Sequence, residues 1–159
     1  NIDFTFGSSG VELLSTSLTL FMNLIQSVMG NQHLSISGSK NTPEVIWDVN
    51  EHSFVFKGVS YPENARKFYD PIFNLAKIYV NDNKESKLNM IIDFEYFNTS
   101  TARMLYKIFG LFNEAVLNSG LKVQIDWKYE SDDFDMIDSG KDFDFMFKEL
   151  NFKLIEKAA

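Results

Sequence analysis

One strand-to-helix junction constrains the fold of this chain more than any other feature. Before the junction, apolar residues alternate with polar ones in the period-two pattern of a strand: Leu88, Met90, Ile92, Phe94 and Tyr96. From Thr99 to about Leu117, Thr101 and a set of apolar residues instead recur at helical spacing: Leu105, Ile108, Phe112 and Ala115. Gly120 is suited to end that helix, and Leu121–Tyr129 alternate again as a strand. These patterns predict a layered α/β domain.

The flanking segments extend this pattern on both sides. We expect the following elements: strands at Leu34–Ile36, Val45–Val49 and Phe54–Gly58, the last two joined as a hairpin through Asn50–His52; a helix starting within Ser60–Asn64, with Pro62 in its first turn, and reaching Tyr79; a short helix ending at Ile137; and an edge strand at Phe152–Glu156. Pro71 predicts a kink, or a second helical start capped by Asp70. Ser139 and Gly140 predict the end of the short helix. The order predicts a mixed β-sheet with helices mainly on one face.

Residues 1–30 differ in character from the rest of the chain. Val11–Met29 carry an apolar helical stripe that includes Leu18 and Phe21, so we expect an amphipathic helix packed on its own domain or on a neighbour. The segment contains no Lys or Arg, which argues against a signal peptide. Glu12, Asn23 and Gln26 make it a poor membrane span. We therefore divide the chain into an extension, 1–30, and a domain, 31–159.

The charge and the residue types exclude several functions. A net charge of −7 argues against nucleic-acid binding, which needs a basic surface to neutralise phosphates. The chain has no cysteine, so disulfides, thiolate metal sites and cysteine nucleophiles are excluded. His33 and His52 are the two histidines, and neither has the spacing of a metal site or a catalytic base. We expect no metal, no cofactor and no catalytic residue.

Two groups of carboxylates are candidate sites. Asp133 and Asp135 fit the first and third positions of a calcium loop, but Asp138 falls where glycine is required. A solvated acidic face or a helix cap is the better interpretation. Asp93 and Glu95 share a strand face and would suit a small hydrolase, although no nucleophile lies near them in the sequence. This is the weakest of the functional hypotheses.

The junction itself carries a row of side chains that can cap a helix: Asn98, Thr99, Ser100 and Thr101. From the residues alone, simple capping is the favoured interpretation. The functional alternative is phosphorylation, because a phosphate in the first turn accepts bonds from free helix N–H groups while adding about −1.5 to −2 of charge. Fold and charge switch are therefore compatible in this segment.

Three stretches in order resemble the SiaC family of regulatory phosphoproteins, whose fold is similar to the STAS domains of anti-sigma-factor antagonists. They are Gly58–Asn64 with Phe68–Ile72, Tyr96–Ala102, and Trp127–Glu130 with Asp132–Met136; Ser39–Pro43 also fits. The resemblance covers about Leu34 to Ile155. It implies a bacterial, cytoplasmic, non-enzymatic switch.

The resemblance also implies partners and site residues. A protein kinase is expected to phosphorylate Thr99, with Ser100 and Thr101 as neighbouring hydroxyls, and a metal-dependent Ser/Thr phosphatase to reverse the reaction. The unphosphorylated form is expected to bind and activate a diguanylate cyclase or another output protein, which would link it to cyclic-di-GMP and biofilm formation. The expected partner-binding residues are Tyr61, Pro62, Glu63, Asn64, Asn98, Thr99 and Ser100. The alternative is a constitutive interaction module that docks through the 1–30 helix.

Overall fold

The computed structural model describes residues 16–21 and 33–158. From residue 33 onward the elements are β1 (His33–Ile36), β2 (Glu44–Asp48), β3 (Ser53–Ser60), α1 (Ala65–Asp82), β4 (Lys87–Phe97), α2 (Thr99–Ser119), β5 (Lys122–Tyr129), α3 (Phe134–Met146) and β6 (Asn151–Glu156). The six strands form one sheet in chain order. β1, β2 and β3 pair antiparallel, whereas β3 to β6 pair parallel. The three parallel connections carry α1, α2 and α3, one each.

The core lies between the helices and one face of the sheet. In β4, Leu88, Met90, Ile92 and Phe94 are buried, and the intervening residues are at least partly exposed. The buried faces of the helices join the same apolar cluster. The predicted mixed α/β fold, with helices mainly on one face, is confirmed. The predicted likeness to STAS domains stays a prediction.

A β-bulge changes the side-chain pattern at the end of β4. Gly58 pairs with Phe94 but Val59 pairs with Tyr96, so Glu95 is the extra residue. Gly58 has a φ of 95°, a backbone conformation that favours glycine. Beyond the bulge the alternation is inverted: Phe97 packs on the core and Tyr96 is 55% exposed. The alternation that grouped Tyr96 with Leu88–Phe94 is therefore wrong at its last position.

α1 begins later than predicted and has no break. β3 continues to Ser60, and Asn64 caps the helix by accepting a hydrogen bond from the Lys67 N–H at 3.0 Å. Pro62 precedes the helix instead of occupying its first turn. α1 then runs through Pro71, so the predicted second start capped by Asp70 is wrong.

α3 is also longer than predicted, because Gly140 does not end it. Asp133 caps the helix through the Met136 N–H at 3.0 Å, which confirms the capping interpretation of this aspartate. A Cβ at Gly140 would lie 2.6 Å from Cδ1 of Trp127. The indole is fixed, since its Nε1 donates to the Met136 carbonyl at 2.9 Å. Gly140 therefore serves close packing of α3 on β5.

The described part of the 1–30 extension is short. Residues 16–21 are helical, in agreement with the predicted helix, and Leu18 and Phe21 on its apolar stripe are exposed. The rest of Val11–Met29 lies outside the described residues. Within 16–21 and 33–158, the structure has no helix that combines the length and hydrophobicity of a membrane span.

The contact at Gly140 leads to a stability prediction. Gly140→Ala should lower the free energy of unfolding by about 1–3 kcal/mol, because overpacking against the fixed indole exceeds the gain in helix propensity. Gly110→Ala is the matched control, since its Cβ would lie an ordinary 3.8 Å from Phe147. That control should be neutral or stabilising by up to about 1 kcal/mol in urea unfolding. Equal effects of the two substitutions would contradict the packing role of Gly140.

Candidate functional site

The site is built where β4 passes into α2. Asn98 is the N-cap: its Oδ1 accepts a hydrogen bond from the Thr101 N–H at 2.9 Å. Its own N–H donates to the Ser60 carbonyl of the neighbouring strand at 3.0 Å. The start of α2 is therefore fixed to the end of β3.

A buried chain of hydroxyls lies directly beneath this junction. Thr101 Oγ1 donates to the Ser60 carbonyl at 3.0 Å and lies 2.8 Å from Ser60 Oγ. Ser60 Oγ in turn lies 2.7 Å from the Tyr69 hydroxyl of α1. Because the Thr101 proton is directed to a carbonyl, one consistent arrangement has Tyr69 donating to Ser60 and Ser60 donating to Thr101. Burial raises the pKa of Tyr69 well above its ordinary value of 10.

The three consecutive hydroxyls of the junction occupy different environments. Thr101 is fully buried, and its hydroxyl is held within the chain. Thr99 and Ser100 are exposed. Neither of their side chains has a hydrogen-bond partner in the described part of the chain, and their N–H groups begin the helix without one. Of the three, Thr99 and Ser100 are therefore accessible to a modifying enzyme.

Thr99 and Ser100 line different cavities. Thr99 lines a groove of about 600 Å³ between α2 and α3, with walls that include Phe97, Ala102, Tyr106, Phe143 and Met146. Ser100 lies in a cleft of about 290 Å³ beside Glu63 and Asn64. Arg103 and Lys107 line both cavities. The side chain of residue 99 thus faces a mostly apolar groove with a basic edge.

The other predicted partner-binding residues surround the same junction. Tyr61 donates its hydroxyl to the Lys40 carbonyl at 2.9 Å, and its ring lies 5.9 Å from that of Tyr96. Glu63 and Asn64 are exposed next to Ser100, whereas Pro62 is buried. The structure therefore brings most of the predicted set to one surface, with Pro62 beneath it.

Sequence reasoning missed two parts of this surface. The exposure of Tyr96 depends on the bulge at Glu95, which the alternation does not reveal. The groove depends on how α3 lies against α2. Arg103 and Lys107 were detectable, because they follow Thr99 at intervals of four residues on the predicted helix.

Asp93 and the two histidines considered in the sequence analysis have structural partners. Asp93 lies 2.9 Å from Lys157 Nζ and 3.7 Å from Lys128 Nζ, and Lys157 also lies 3.4 Å from Glu130. Asp93 is thus part of an ion-pair cluster that ties β4 to β5 and the segment after β6, which argues against the hydrolase hypothesis. His52 Nδ1 lies 2.7 Å from the Tyr79 hydroxyl. Among residues 16–21 and 33–158, no group of three His, Asp or Glu side chains is arranged to hold a metal ion.

The mixed α/β domain therefore combines an accessible hydroxyl at a helix start, a neighbouring groove and a buried hydroxyl network. Residues 36–157 match the family described as SiaC family regulatory phosphoprotein. The chain belongs to the SiaC family. The family assignment confirms the prediction of a non-enzymatic regulatory protein.

Solved structures support the fold. The chain is similar to apo-SiaC from Pseudomonas aeruginosa, with 23% identity, a TM-score of 0.69, and coverage of 77% of this chain and 97% of that chain. It is also similar to a chain in the crystal structure of diguanylate cyclase SiaD in complex with its activator SiaC from the same organism. The identity is 21%, the TM-score 0.70, and the coverage 77% and 99%. The search of curated proteins gives no significant match.

The hydroxyl network predicts a pH-dependent contribution to stability. The folded-state pKa of Tyr69 is raised, so its contribution is fully present below about pH 10, the unfolded value, and is lost as pH rises beyond it. Tyr69→Phe should be less stable than the unchanged chain by about 1 kcal/mol at pH 8, since one hydrogen bond is lost. That difference should shrink in denaturant unfolding measured from pH 8 to pH 11. A constant difference in stability over this range would show that ionisation of Tyr69 does not cause the pH dependence.

Proposed function

We propose that this chain is a phospho-switched regulatory protein whose modified residue is Thr99. The observation that carries the proposal is the separation of roles at the junction. Asn98 caps α2 and Thr101 is buried in the hydroxyl network, which leaves the Thr99 hydroxyl exposed and without a structural duty in the described chain. Ser100 is equally exposed, and its cleft is lined by one carboxylate and three cations: Glu63, Arg66, Arg103 and Lys107. The choice of Thr99 over Ser100 therefore rests on the resemblance to the family motif.

Modification of Thr99 is compatible with the fold. A phosphate there would lie at the positive end of α2, next to N–H groups that have no partner in the described residues. The added charge of about −1.5 to −2 would lie at the protein surface, beside the groove. A phosphate on Thr101 would require breaking its contacts with Ser60, and the core would have to open.

The proposed partners follow from the family and from the solved complex. SiaC in that complex is the activator of the diguanylate cyclase SiaD, and we propose a diguanylate cyclase as the output partner of this chain. The unphosphorylated surface around Tyr61, Glu63, Asn64, Thr99 and Ser100 would bind it. A kinase would add the phosphate and a metal-dependent Ser/Thr phosphatase would remove it. We further propose that residues 31–159 form the regulatory domain, with 1–30 as an extension.

The Thr99 assignment is tested by phosphorylation in vitro. The chain, Thr99→Ala and Ser100→Ala are each incubated with the cognate kinase and ATP, and phosphate is located by mass spectrometry. Phosphate should be lost in Thr99→Ala and retained in Ser100→Ala, the matched control one residue away. Phosphate that persists in Thr99→Ala and disappears in Ser100→Ala would move the site to Ser100.

Thr99→Glu should weaken cyclase binding roughly tenfold or more with an unchanged unfolding curve, since a charge at the interface centre is costly.

A second candidate is a constitutive interaction module that docks through the 1–30 helix. The exposure of Leu18 and Phe21 on the helical segment 16–21 favours it, because exposed apolar side chains on one face suit a partner. Deleting residues 1–30 separates the candidates when cyclase affinity is measured. Unchanged affinity, with Thr99→Glu still weakening it, supports the phospho-switch. Loss of binding on deletion, with no effect of Thr99→Glu, supports the docking helix.

A further inference from the structure

Two cations beside Thr99 have no ion-pair partner. Arg103 and Lys107 are exposed, and no salt bridge found within residues 16–21 and 33–158 includes either of them. Both line the groove that contains Thr99. Most Lys and Arg residues between 33 and 158 are likewise in no salt bridge, since only Lys128, Lys141 and Lys157 take part in one. What distinguishes Arg103 and Lys107 is therefore their position beside Thr99 on one helix face.

The helix places these cations in line with the Thr99 side chain. Thr99, Arg103 and Lys107 follow one another at intervals of four, so consecutive members of the row have Cβ atoms about 5–6 Å apart on one face of α2. An arginine side chain is long enough to span that distance, and its planar fork matches two phosphate oxygens at once. Lys107 is one turn further away and acts mainly through its longer-range field.

We propose that Arg103 is an internal receptor for the phosphate on Thr99, with Lys107 adding to the positive field. This inference rests on the proposed function for its biological use. Phosphorylation would then change two properties of the surface: it adds negative charge at residue 99 and it occupies the Arg103 guanidinium. A partner whose acidic group pairs with Arg103 in the unmodified protein loses that contact when Thr99 is phosphorylated.

The other charged groups differ between the two cavities. Asp142 of α3 lines the groove, and it is the one carboxylate among the residues that line it. Glu63 and Arg66 line the Ser100 cleft and not the groove, whereas Arg103 and Lys107 line both. The assignment of Arg103 to Thr99 therefore rests on their spacing of one helical turn and on the proposed modification of Thr99.

The test measures the ionisation of the phosphate directly. Phosphothreonine is incorporated at position 99 of the full chain during synthesis, and its phosphorus-31 resonance is followed over pH. A guanidinium beside the phosphate favours the dianion, so the second pKa should lie below its usual value of about 6. Arg103→Gln should raise that pKa by about half a pH unit, the size expected for an exposed ion pair, and Lys107→Gln should raise it less.

Arg66→Gln is the matched control. It removes the same charge from the neighbouring cleft, and it should leave the phosphate pKa nearly unchanged. Equal rises in Arg66→Gln and Arg103→Gln would show a general field in place of a specific receptor, and no rise in Arg103→Gln would overturn the proposal outright. Because the phosphate is installed without a kinase, this failure would leave Thr99 standing as the acceptor. Conversely, failure of the kinase to modify Thr99 would not alter the titration.

Discussion

The arrangement of the functional surface depends on a chain of buried hydroxyl groups. Ser60 at the end of β3, Tyr69 on α1 and Thr101 in the first turn of α2 are linked at 2.7 and 2.8 Å, and Thr101 also donates to the Ser60 carbonyl. A buried hydroxyl without a partner costs about 1–3 kcal/mol, so each group holds the others in position. The network thus fixes one sheet strand and two helices relative to each other. The network therefore also sets the backbone positions of exposed residues one or two places along the chain.

Much of the fold could be predicted because burial on one sheet face gives a strong sequence pattern. The alternation in β4 and β5 and the helical stripe of α2 needed no knowledge of tertiary contacts. The errors arose where a tertiary contact overrides a local signal. Glycine at position 140 is a local signal for a helix end. The helix nevertheless continues, because the missing Cβ makes room for Trp127. The local sequence at Ser60 predicts a helix start, but pairing with β4 keeps this residue in a strand.

The candidate site was predictable as a segment but not as a single hydroxyl. Thr99, Ser100 and Thr101 are chemically alike, and burial distinguishes them, a property that depends on where α2 lies against β3 and α1. The family resemblance implies Thr99 as the modified residue, whereas the physical reason to set Thr101 aside is its burial in the folded structure. Tyr96 shows the same limit, since one inserted residue in β4 moves its ring from the core face to the surface.

The proposed switch requires a surface that changes its charge without changing its fold. The junction is compatible with this requirement, because neighbouring residues have different structural roles. Asn98 accepts the hydrogen bond from the Thr101 N–H, and the Thr101 hydroxyl belongs to the buried network. Residue 99 therefore neither caps the helix nor takes part in the network. The N–H groups of Thr99 and Ser100 have no partner in the described chain and can accept an anion. Because α2 is anchored from below by its third residue, its first residue is free to be modified. The cap interpretation is correct for Asn98, and the proposed switch at Thr99 is compatible with it.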